Sequence, residues 1–189
     1  MPRIQVFLAV IGHPRQIRIA RYKLGSLEGK TICSKGSIFP NLLELLSRSE
    51  GPPHFLVIAP HTVAKSVDEL QRDAQEKNWG RSARKVARKY IEEGLAYVEE
   101  RLAEIGGLRA EFLIEGLRKM RERGAIQVEV VQGIGTFLIG ERDELEIVGF
   151  KGSPSHMFLE TFRVLSRLSE GLSEPIEVTF DASHGWNFL

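Results

Sequence analysis

Short apolar runs alternate with amphipathic stretches along most of the chain. IQVFLAVI (residues 4–11) is a continuous apolar run closed by Gly12, the pattern of a strand covered on both faces. Residues 16–24 (QIRIARYKL) read as a half-exposed strand, with Ile17 and Ile19 on one face and Tyr22 and Leu24 on the other. Gly25 to Gly29 read as a turn. Leu42, Leu43, Leu45 and Leu46 form a helical stripe, Pro40 fits its first turn, and Gly51-Pro52-Pro53 ends it. HFLVIAP (54–60) is a second buried strand. A helix capped by Ser82 carries Ala83, Val86, Ala87, Tyr90, Ile91, Leu95, Val98 and Leu102 at helical spacing until Gly106-Gly107. A second helix runs from 109 to 123 and stops at Gly124. Strands follow at 126–131, in GIGTFLIG and in ELEIVGF. Ser153-Pro154 opens a helix whose predicted buried face is Phe158, Phe162, Leu165 and Leu168. PIEVTF (175–180) is the last strand. The alternation of strand and helix predicts an α/β fold with a parallel sheet.

Composition narrows the class. The 189 residues suit one domain, and 42% apolar residues suffice for a core. The 26 basic and 25 acidic residues nearly cancel, which argues against a duplex-DNA binder but leaves room for a small anion in a focused site. Cys33 is the only cysteine, so no internal disulfide forms and a cytoplasmic home is expected. No run approaches the ~20 apolar residues of a membrane span.

Polar residues gather where strands end. Gly12-His13-Pro14 follows the first strand, Pro60-His61-Thr62 the second buried one, and Gly133-Ile134-Gly135 the strand over 126–131. Asp181, Ser183, His184 and Gly185 follow the last strand, with Asn187 beyond them. In open parallel α/β sheets ligands bind beyond the carboxyl ends of the strands, so these segments are expected to share one edge. Their chemistry suits phosphate. Glycines let backbone N–H groups approach anionic oxygens, hydroxyls and imidazoles donate hydrogen bonds, and the flanking Lys35 and Lys151 supply charge. Taken singly, the glycines read as turns, His54 as a cap residue, Trp186 and Phe188 as core anchors, and RSARKVARKY as a solvated helix face. There is no H-E-x-x-H, no CxxC and no carboxylate cluster, so no metal is expected. A nucleophile elbow is lacking too. The first strand ends in GHPRQI rather than a dinucleotide fingerprint, so no cofactor is expected.

These segments together resemble a known family. DASHG (181–185) resembles the D-x-T-H-G signature of CRISPR-associated DxTHG-motif proteins, which contain a CRISPR-associated Rossmann-fold (CARF) domain. VIGHPRQIRIARYKLG resembles the family's opening strand pair, and ICSKGSIFPNLLELL its serine-rich strand-to-helix turn. IAPHTVA, VVQGIGTF and FKGSPSHMF resemble further family segments, so the likeness spans almost the whole chain. Departures are Ser183 for Thr, His13 for Asn and Gln132 for Pro. Many relatives continue into a helical HEPN ribonuclease domain marked by an Arg and a His on one helix. Here the only comparable pair, Arg48 and His54, is split by Gly51-Pro52-Pro53.

The resemblance implies a Rossmann-like three-layer fold with a mostly parallel central sheet. It implies a single CARF-like sensor domain over 1–189, without the HEPN effector. Such domains serve type III CRISPR antiviral defence. They bind cyclic oligoadenylate as homodimers with the ring across the two-fold axis, a geometry that suits cyclic tetra-adenylate. On that reading N–H groups near Gly12, Gly133 and Gly135 hold phosphates. Ser37, Thr62, Ser183, His184 and Asn187 add hydrogen bonds, and Lys35 and Lys151 add charge. The alternative is a ring nuclease, with His13, Lys35, Ser183 and His184 promoting metal-independent attack by a ribose 2′-OH. A dinucleotide enzyme and a winged-helix regulator rank below both.

Overall fold

The computed structural model describes residues 3–12, 17–64, 67–78, 80–131, 135–139, 146–150, 154–172 and 174–181. Strands β1 (Ile4–Val10), β4 (His54–Pro60), β5 (Ile126–Val131) and β8 (Ile176–Asp181) form a parallel sheet in the order β5-β4-β1-β8. β2 (Ile19–Lys23) pairs antiparallel with β3 (Thr31–Lys35), and β6 (Gly135–Ile139) antiparallel with β7 (Glu146–Phe150). The helices are α1 (Ile38–Arg48), α2 (Val67–Gln75), α3 (Arg81–Ile105), α4 (Leu108–Glu122) and α5 (Pro154–Glu170). This is the expected Rossmann-like α/β fold.

Strand alternation sorts the core into two layers. Phe7, Ala9 and Ile11 of the β1 segment and Phe55, Val57 and Ala59 of β4 face α1, α3 and α4, where they meet Phe39, Leu42, Leu95 and Leu117. Val6, Leu8, Val10, Leu56 and Ile58 face the other way, toward Met157 and Val164 of α5. Burial on both faces explains why β1 and β4 are continuously apolar.

Four details differ from the sequence reading. The strand expected over 16–24 is confined to Ile19–Lys23, where it pairs with β3, and the short helix α2 was not anticipated. Ser82 is not the cap of α3; Gly80 is, in the left-handed region at φ 81°. A side chain there would strike Val130, since a Cβ would lie 2.6 Å from its Cγ1. Ser82 lies inside the first turn, and its N–H and hydroxyl donate to the buried Asp73 carboxylate at 2.8 and 2.9 Å. The capping oxygen thus comes from α2. The buried stripe of α5 is Met157, Thr161 and Val164 with Leu168 partly covered, while Phe158 and Phe162 are each 56% exposed. Both stripes have helical period; the sheet selects the one that faces it. The Ser153 cap and the Trp186 and Phe188 anchors fall outside the described residues.

Candidate functional site

Because β1, β4, β5 and β8 are parallel, their carboxyl ends share one edge. Register sets their heights: Val10 lies opposite Ile58, Pro60 opposite Val131, and Ala9 opposite Asp181. Gly12, Pro60, His61, Thr62 and Asp181 are therefore brought to one rim. Gly135 opens β6, in the separate two-stranded sheet. His13, Pro14, Gly133, Lys151, Ser183, His184, Gly185 and Asn187 lie outside the described residues.

The β3–α1 turn brings Lys35 and Ser37 against the same rim. It bends through Gly36 at φ 83°, where the left-handed backbone favours glycine. Ser34 Oγ donates to the Gly36 carbonyl at 2.9 Å, and Tyr90 Oη of α3 donates to the Lys35 carbonyl at 2.8 Å. Ser37 occupies the N-cap position of α1 without a side-chain capping bond. Lys35 Nζ lies 3.5 Å from a Glu93 carboxylate oxygen, with both side chains well exposed. Such a pair contributes at most about 1 kcal/mol, too little to hold Lys35 away from a bound anion.

Asp181 is 5% exposed and points to the α1 face, as alternation requires of the residue opposite Ala9. Asn41 Nδ2, from the first turn of α1, donates to Asp181 Oδ2 at 3.3 Å. Tyr22 and Tyr90 lie close enough to feel its charge. Burial is the main reason both phenols are pushed above their ordinary range, and Asp181 adds to it in each. Asp181 is thus a structural pin that ties the start of the DASHG segment to α1. Asn41, Tyr22 and Tyr90 were missed as members of this network. Asn41 is 140 residues from Asp181 in the chain, and Tyr90 reads as one more apolar position of α3.

His61 is buried at 7% exposure. Burial lowers its pKa from 6.5, and a hydrogen bond with the Val131 backbone pulls the other way. The imidazole is therefore neutral at pH 7 and ties the end of β4 to that of β5. His54, at the opposite edge, shifts in the same direction through burial. Above pH 6.5 the folded and unfolded chains both hold these rings neutral. Below it the unfolded chain takes up protons that the folded chain resists, so stability falls with pH. The urea midpoint is expected to drop as pH passes below 6.5, and His61→Gln to flatten that slope; an unchanged slope contradicts the assignment.

Tyr90→Phe removes the donor to the Lys35 carbonyl and is expected to cost about 1–2 kcal/mol in urea unfolding. A loss below about 0.3 kcal/mol means the bond does not hold the turn.

The rim offers backbone groups, a lysine and hydroxyls at the carboxyl edge of a parallel sheet, an arrangement suited to a small phosphate-bearing ligand. Among the described residues no helix is long and apolar enough to cross a membrane. A family model for the CARF domain of the CRISPR system endoribonuclease Csx1 matches residues 6–189. Among curated proteins, none matches the chain.

Proposed function

Because the chain belongs to the CARF-domain family of the CRISPR system endoribonuclease Csx1, we propose that it is the sensor of a type III CRISPR defence protein and binds cyclic oligoadenylate. Residues 1–189 act as one cytoplasmic sensor domain, paired as a homodimer around one cyclic tetra-adenylate ring. The observation that carries this reading is the convergence of Gly12, His61-Thr62, Asp181 and the Lys35–Ser37 turn on one edge. Backbone N–H groups near Gly12, Gly133 and Gly135 take phosphates, and Lys35 and Lys151 balance their charge. Ser37, Thr62, Ser183, His184 and Asn187 donate to phosphate, ribose or adenine, and His13, Pro14 and Gly185 shape the loops between them.

Calorimetry with cyclic tetra-adenylate is expected to show saturable binding at one ring per two chains, and little with the linear tetramer. Absence of heat at saturating ring rejects the proposal. The exposed position of Lys35 at this rim favours a second activity at the same site. In it a ribose 2′-OH attacks the adjacent phosphorus, the 5′-oxygen leaves, and a 2′,3′-cyclic phosphate remains. Chromatography after long incubation in EDTA decides it: linear products support cleavage, and an intact ring removes it.

A further inference from the structure

The charges of α3 run against its own dipole. A helix favours acidic side chains in its first turns and basic ones in its last. In α3 the stretch 81–89 holds Arg81, Arg84, Lys85, Arg88 and Lys89 and no acid, while 90–105 holds five glutamates and one arginine. No acidic residue lies in the first turn and no basic one in the last. The basic half also crowds itself. Arg81 and Lys85, Arg84 and Arg88, and Lys85 and Lys89 are each four residues apart, a spacing at which like charges repel. A face that only has to stay wet is served better by interspersed charges, so this segregation costs α3 stability.

The rest of the chain neutralises the two halves unequally. The acids are largely answered: Glu99 pairs with Arg121, Glu100 and Glu104 with Arg101, and Glu93 with both Lys35 and Lys89. On the basic side Glu76 meets Arg81 at 2.8 Å, and Glu129 meets Arg84 only at 4.0 Å. Lys85 and Arg88, both exposed, have no ion-pair partner among the described residues. What remains is a narrow basic line about 12 Å long, with acids along its flanks.

The surroundings of the line select its partner. The exposed large apolar side chains among the described residues lie on β2, α4, α5 and β8, and none lies on α3. A protein partner is held chiefly by buried aromatic and apolar anchors, which this face does not offer. A phosphodiester backbone is held by charge alone, and Arg81, Arg84 and Arg88 supply planar forks that match phosphate oxygens. A single strand can follow one line along a helix. A duplex presents its charge across a wider front and meets the flanking Glu76 and Glu129.

We infer that the basic line of α3 is a binding surface for the backbone of a single-stranded nucleic acid, read by charge and not by sequence. The inference does not depend on the ring assigned to the rim, and its test uses none.

A labelled oligouridylate, followed by fluorescence anisotropy, is expected to bind at low salt and to weaken as salt rises. The log–log slope should be about −2 to −3.5, as three to five neutralised phosphates require. Lys85→Glu with Arg88→Gln is expected to weaken binding at least about tenfold and to flatten the slope by about 1.4. Arg163→Glu with Arg167→Gln, the same change of net charge on α5, is expected to leave both unchanged. Equal losses from the two variants assign the effect to net charge and overturn the inference, as does an unaltered affinity in the α3 variant. Displacement of the strand by polyglutamate gives the face to an acidic protein and overturns it too. So does tighter binding once the strand is paired with oligoadenylate. Lys85→Glu alone separates this role from a structural one. It turns two like-charged pairs into attractive ones, so the urea midpoint is expected to rise while affinity falls. A fall in both places Lys85 in the fold and removes it from the binding surface.

Discussion

Replacing Ser183 and His184 together by alanine is expected to weaken binding of cyclic tetra-adenylate at least about 100-fold. Each side chain is assigned a hydrogen bond to the ring, and a bond to a charged group contributes about 1.5–3 kcal/mol. Two such losses total at least about 3 kcal/mol, and every 1.4 kcal/mol is a factor of ten in affinity. In a two-fold assembly both copies lose the pair, so this is a lower bound. The charge of the rim and the pin on Asp181 are untouched, so the variant keeps its fold and its urea midpoint. His184→Asn, which preserves a donor, is expected to recover part of the loss. Wild-type affinity in the double variant, measured by calorimetry, contradicts the assignment of these two residues.

Gly94→Ala is expected to cost about 3 kcal/mol or more of stability, out of proportion to one methyl group. An alanine Cβ at 94 would lie 2.0 Å from Phe39 Cζ, well inside van der Waals contact. Phe39 has no exposed surface, and its ring centroid lies 5.5 Å from that of Tyr90, so it has nowhere to turn. Overpacking of this kind typically costs about 1–3 kcal/mol, and here α1 and α3 must separate to relieve it. Gly116→Ala is the comparison. Its Cβ meets only the Leu46 side chain, at 2.7 Å from Cδ2, 2.9 Å from Cδ1 and 3.0 Å from Cγ. A leucine side chain can shift its rotamer more readily than a ring wedged between two helices, and alanine adds about 1 kcal/mol of helix propensity over glycine. The two substitutions should therefore separate clearly in urea unfolding. An unchanged midpoint for Gly94→Ala would sink this account of the α1–α3 contact. Because α1 begins at the Ser37 rim, Gly94→Ala is also expected to reduce ligand affinity.

The central strands β1 and β4 were legible in the sequence because burial on both faces leaves a short uninterrupted apolar run bounded by turn residues. β1 and β4 fall where those runs predict them, and β5 where the alternation in IQVEVV predicts it. β3 was legible only through the family resemblance, since in TICSK only Ile32 and Ser34 are buried, which gives the strand too little apolar signal of its own. The face of α5 was misread because its aromatic stripe and its buried stripe share one helical period. Only the position of the sheet distinguishes them. For the rim, its location followed from the parallel order of the strands. Its internal wiring did not, because the contacts of Asn41 with Asp181 and of Tyr90 with Lys35 join residues far apart in the chain through single hydrogen bonds.

The length of α3 gives the rim a mechanical reach. The helix is pinned near its middle, where Tyr90 holds the Lys35 carbonyl, Glu93 meets the Lys35 side chain and Gly94 admits Phe39. From Tyr90 to Ile105 it extends a further fifteen residues, an arm of roughly 22 Å. Leu95, Val98 and Leu102 bury this arm in the core shared with α4, so a tilt of about 5° at Tyr90, which displaces the far end by about 2 Å, is felt in that packing. Any reseating of the Lys35 turn is therefore carried along α3 toward Gly106-Gly107, at the far end of the helix from the sheet rim.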